Sequence, residues 1–119
     1  MTKKQTNELF SLLLDSLEER LDTAEESLAL FETNEHPIKK LGRALSQFFS
    51  VDDPLILTLL LADDNCEEID KHVEEQLLRL CDRHRSLLIQ FANEFENSNL
   101  IDERMKKIIK EEKHRLSIN

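Results

Sequence analysis

The sequence has no Trp and no Tyr, a single Gly, two Pro and two Cys in 119 residues. Each shortage excludes something. One Gly cannot build a glycine-rich phosphate loop, whose backbone must close on an anion without Cβ atoms in the way. Few Gly and Pro leave few interruptions to long helices. Without Trp or Tyr the usual anchors of a large constitutive interface are missing. The two cysteines, Cys66 and Cys81, both fall in what reads as one helix. At 1.5 Å per residue they would stand roughly 22 Å apart, against the ~7 Å that a disulfide tolerates. A reducing, cytoplasmic compartment is the expectation.

Positive charge is also in short supply. Sixteen Lys and Arg face 25 Asp and Glu, a net charge of -9. Phosphate backbones and anionic lipid surfaces recruit Lys and Arg, so neither nucleic acid nor membrane is an expected partner. A protein partner with a basic patch is compatible. Long apolar runs are absent: the longest, Leu55 to Ala62 (LILTLLLA), has eight residues, and a bilayer span needs about 20. The polar start, MTKKQTNELF, does not read as a secretory signal.

What is present is helical periodicity. Phe10, Leu14, Leu17, Leu21, Ala24, Leu28 and Phe31 step alternately by four and three, an unbroken heptad seam. Leu13 and Leu30 widen it beyond a two-stranded stripe, which suits a bundle. A first helix is expected from about Gln5 to Thr33, stopped at Asn34. A second should start at Pro37 and run to Phe49, with Gly42 marking a close helix contact. Asp53 and Pro54 suit the cap and first position of a third helix ending near Ala62. That helix is apolar nearly all round, which predicts burial on every side. A fourth should run from Asp64 or Asn65 to about Asn97. It carries two seams: Val73, Leu77, Leu80, His84, Leu87, Phe91, and beside it Leu78, Cys81, Leu88, Ala92, Phe95. Two stripes imply two neighbours and a central place. After a turn at Asn97-Ser98-Asn99 a fifth helix should span Leu100 to about Leu116. The expected fold is therefore all-α: one domain over residues 1–119, an antiparallel bundle of four to five helices with long first and fourth helices and a second leg broken at Ser50–Pro54.

Charge is distributed unevenly along these helices. Glu18, Glu25 and Glu32 form an acidic row beside the first seam, while Arg104 to Arg115 carries six Lys or Arg against two Glu. The simplest pairing lays the fifth helix along the first.

Chemistry-bearing patterns are few. Arg79 and His84 have the Arg-x4-His spacing of many all-α ribonucleases, where the Arg steadies phosphate and the His moves a proton. On a helix the two lie roughly 140° apart around the axis, and an acidic chain repels RNA. Asp63, Asn65, Glu67 and Glu74 occupy calcium-loop positions, but Glu68 stands where the turn requires Gly. Cys81 and His84 share a helix face, yet two ligands do not make a four-coordinate zinc site. No metal or cofactor is expected.

The expected function is that of a small acidic protein-binding module, a regulator, inhibitor or chaperone, working through an apolar helical groove without catalysis. Candidate contact residues are Leu14, Glu18, Leu21, Glu25, Leu28, Leu57, Leu60 and Leu61, and a homodimer is the expected assembly. The alternatives are a ribonuclease-like enzyme using Arg79 and His84, and a self-assembling coiled-coil spacer.

Overall fold

The computed structural model describes residues 1–32, 36–97 and 102–118, and every regular element among them is helical. Helix α1 spans Lys3–Glu26 and tightens into a 3₁₀ segment, Ser27–Glu32. Then follow α2 (Pro37–Phe49), α3 (Asp52–Asp64), α4 (Lys71–Glu96) and α5 (Glu103–Ile118). The chain is all-α. The stop at Asn34, the turn at Ser98 and Asn99, the start at Leu100, and the side chains of Leu30, Phe31, Glu32 and Phe95 lie outside the described residues.

Helix α1 starts two residues before Gln5 because Thr2 caps it. The Thr2 hydroxyl accepts from the Gln5 amide at 3.1 Å, and the Gln5 side chain accepts from the Thr2 amide at 2.9 Å. This reciprocal box satisfies donors that a helix start leaves open. Helix α2 begins at Pro37, where a missing N–H costs nothing. Helix α3 begins at Asp52, with Val51 at the cap position and no side-chain cap. Pro54 is then the third helical residue, still among the unpaired amides of the first turn.

The heptad seam faces the chain's own interior. Phe10, Leu14, Leu17, Leu21 and Ala24 share one core with Phe48, Val51 and Leu55 and with Val73, Leu77, Leu80, Leu87 and Phe91 of α4. Leu14, Leu21, Ala24 and Val51 have no exposed surface. Each buried Leu contributes about 1.5–3 kcal/mol. Helix α4 packs against both α1 and α5, the two neighbours its two stripes imply, but Leu78 of the second stripe is exposed, and the helix that meets the most elements is α1, which touches α2, α3 and α4.

Four expectations need correction. Helix α4 starts at Lys71, not near Asp64, because a turn over residues 65–69 is held in place by Asn7. Cys66 therefore sits exposed in that turn, off the helix that carries Cys81, and both thiols are free. Helix α5 lies on α4 rather than along the acidic row of α1. That row is met by Arg83 of α4 instead, whose guanidinium reaches Asp22 at 2.5 Å and Glu25 at 2.7 Å. Gly42 marks no close contact, since a Cβ there would meet nothing within 4 Å. Finally, α3 is not buried on every side. The radius of gyration, 16.8 Å, exceeds the roughly 13.5 Å of a compact chain of this length, so the helices do not all find cover.

Candidate interaction surface on the third helix

Only one stripe of α3 enters the core. Leu55, Thr58 and Ala62, at i, i+3 and i+7, are buried. The Thr58 hydroxyl donates to the Pro54 carbonyl at 2.7 Å, so the polar atom on that stripe is satisfied. The rest of the helix faces out. Ile56 is 53% exposed, Leu57 61%, Leu59 39%, Leu60 58% and Leu61 47%. At 100° per residue, the arc from Leu59 through Ile56, Leu60 and Leu57 to Leu61 is about 200° wide. Phe49, 55% exposed, prolongs the surface past the corner between α2 and α3. Taken at half the ~200 Å² of a large side chain, these six residues leave about 600 Å² of apolar surface. That is the upper end of the largest patch on an ordinary monomer, about 300–600 Å².

The inner edge of this surface is a cleft of about 390 Å³ between α3 and α4, lined by Phe49, Ile56, Leu59 and Leu88, with Asp52 and His84 at one end. His84 Nε2 and Asp52 Oδ1 are hydrogen-bonded at 2.7 Å. The imidazole stacks on Phe48, ring centres 5.4 Å apart and planes 12° from parallel. The pair ties the start of α3 to α4. A neighbouring cleft of about 310 Å³ shares Phe48, Phe49 and Leu88 and is closed on its far side by Ile108, Ile109 and Leu116 of α5. One apolar wall thus runs under α5 and out along α3.

The candidate residues fall into three groups. Leu57, Leu60 and Leu61 are exposed. Glu18 and Glu25 are exposed on α1, but Glu25 is engaged by Arg83. Leu14 and Leu21 are corrected outright: they are core residues and present no surface, and Leu28 is half-buried against the same core. Arg79 and His84 are not brought together. Arg79 faces solvent while His84 turns inward to Asp52. The Cys81 thiol on the cleft wall is pushed above the ordinary thiol range by burial first and by the Asp82 carboxylate second. It is held in the form that does not attack. Among the described residues no three His, Cys, Asp or Glu side chains converge as metal ligands.

Ile56 and Leu59 are missed because a helix apolar all round does not show which of its residues face out, and Phe49 because it reads as part of the apolar face of α2. Residues Leu45–Asp64 are also the one described stretch long and apolar enough to cross a membrane by length and composition. It is split at Ser50 and Val51, with Asp52 and Asp53 near its middle, where a carboxylate costs about 2.5–3.5 kcal/mol. A broader depression beside α1 is lined by Lys3, Lys4, Asn7, Glu8, Asp70 and His72; in it Lys3 lies 3.7 Å from Asp70, and Asn7 is bonded to the backbone of residues 68 and 70. Comparison with protein-family models, with curated proteins and with solved structures finds no match, so function has to be read from this chain's own side chains.

Proposed function

We propose that this chain is a small acidic, non-catalytic protein-binding module, an antiparallel helical bundle that presents α3 to a partner. One observation carries the reading. Ile56, Leu57, Leu59, Leu60 and Leu61 stand out of the core together on a helix whose opposite stripe, Leu55, Thr58 and Ala62, is buried. Burying such a surface is worth about 25 cal/mol per Å², the main driving force of association. The acidic surroundings give a regulator, inhibitor or chaperone solubility until it is engaged.

The test replaces Leu60 by a photo-crosslinking residue in the native cell, with Glu26, exposed on α1, as the control position. A single stoichiometric protein adduct at position 60, absent at 26 and lost in Ile56→Glu, supports the reading. Equal, diffuse labelling at both positions overturns it.

A further inference from the structure

We infer that the occupant of the α3 surface is a cationic amphipathic helix, with a Leu/Ile/Phe stripe and Lys or Arg at both ends, rather than a second copy of this chain. This rests on the protein-binding reading and names the partner's chemistry.

Along the chain from α3 to the turn after it the charge has one sign, with Arg20 of α1 standing near the N-terminal corner, where it donates to the Ser50 carbonyl at 3.1 Å. From Asp52 to Asp70 there is no Lys or Arg. Asp53 is exposed at the N-terminal end, and Asp63, Asp64, Glu67 and Glu68 are exposed at the other. The 13-residue helix is about 20 Å long, so an apolar strip of that length is bracketed by carboxylates. A second copy laid on it, parallel or antiparallel, sets acid against acid at both ends, between bodies of net charge -9 each. Like charges across an interface suppress the pairing, and opposite charges steer it. A helix with basic ends is attracted in either direction.

The chain already carries an example of such a helix on the same wall. Helix α5, packed on α4, faces Phe48, Phe49 and Leu88 with Ile108, Ile109 and Leu116 across a cleft of about 310 Å³. Its Lys113 reaches Glu96 at 2.7 Å, with Lys110 at 3.6 Å. Phe49 and Leu88 continue from there into the α3 cleft with Ile56 and Leu59. Apolar side chains on one stripe and lysines on the flank are what this wall accepts inside the molecule. The open half of the wall offers the same chemistry to a helix from outside. Its apolar area of about 600 Å² approaches the roughly 800 Å² that each side of a stable complex contributes.

The experiment uses the full chain and synthetic 16-residue helical peptides. Each peptide carries a leucine stripe and one Trp; the chain has neither Trp nor Tyr, so the peptide's fluorescence is unobscured. One peptide has Lys at both ends, a second has Glu there, and a third keeps the Lys ends with its leucines replaced by Ser. The expected result is saturable binding of the first, at least tenfold weaker binding of the other two, and loss of binding in Ile56→Glu/Leu60→Glu with helicity and melting temperature retained. In Asp53→Asn/Asp63→Asn/Asp64→Asn the preference for Lys over Glu ends should shrink several-fold, as it should in high salt. Equal binding of the Lys- and Glu-ended peptides overturns the charge inference and leaves the docking reading standing. A dimer by light scattering that Ile56→Glu dissociates assigns the surface to a second copy and overturns the inference. Binding to zwitterionic vesicles with none to any peptide overturns both readings.

Discussion

Asp52 Oδ1 and His84 Nε2 are bonded at 2.7 Å across the junction of α3 and α4, with His84 lying flat on Phe48. The bond joins the first residue of α3 to α4. His84→Ala removes both the bond and the stack and leaves a half-buried carboxylate behind. It should destabilise by about 2 kcal/mol, a fall of about 5–10 °C in melting temperature. Purified wild type and variant should be alike in showing no RNA cleavage. A folded His84→Ala that abolishes a cleavage seen in the wild type sinks the non-catalytic reading in favour of Arg79 and His84.

Asn7 is the fastening of the α3–α4 turn. Its amide donates to the Lys3 carbonyl at 2.9 Å and the Glu68 carbonyl at 2.8 Å, while its oxygen accepts from the Asp70 amide at 2.7 Å. Asn7 is buried, so removing it strands two backbone partners. Asn7→Ala should cost about 2–3 kcal/mol, and the Asp70 amide should lose its protection from hydrogen exchange. Unchanged exchange at Asp70 contradicts this.

Gly42 sits mid-helix in α2 with open space where a Cβ would go. Gly42→Ala should therefore stabilise by about 0.5–1 kcal/mol, because Ala loses less backbone freedom on folding. Denaturant unfolding reads this as a higher midpoint at constant slope. A lower midpoint means that something packs there after all.

The docking of α5 should weaken in acid. The hydrogen bond from Lys113 is the largest influence holding the Glu96 carboxyl below its ordinary range, assisted by the charges of Lys113 and Lys110. A carboxyl lowered in the folded state adds stability that is full above the ordinary carboxylate range and disappears as pH falls through the lowered value. Protection of the α5 amides, corrected for the intrinsic pH dependence of exchange, should fall across that acidic window while that of α1 holds. Glu96→Gln should remove the pH dependence. The same exchange profile in Glu96→Gln would assign the effect to another group.

The seams of α1 and α4 are legible in the sequence because Leu14, Leu21, Leu80 and Leu87 recur at the spacing of one helix face, and one face needs one neighbour. Pro37 announces α2 for an equally local reason. Helix α3 is not legible in this way. A segment apolar all round has no preferred face, so its pattern cannot say which stripe goes in; the corner at Val51 decides that. Asn7 gives no signal either, since its distant partners are backbone groups 61 and 63 residues away. The acidic row of α1 shows that a cation is needed. Composition points to the many lysines of α5, whereas the packing supplies one arginine, Arg83, whose guanidinium is pushed further above its ordinary range chiefly by its bond to Glu25.

Val51 stands at the corner between α2 and α3. It is wholly enclosed at the bend where α2 ends and α3 begins, one residue from Asp52. The bearing of α3 is thus inherited from the interior, not from a loose hinge. Any force that a bound molecule exerts on the leucine ridge is delivered through that valine to the middle of the fold, so engagement outside should be felt as stiffening within.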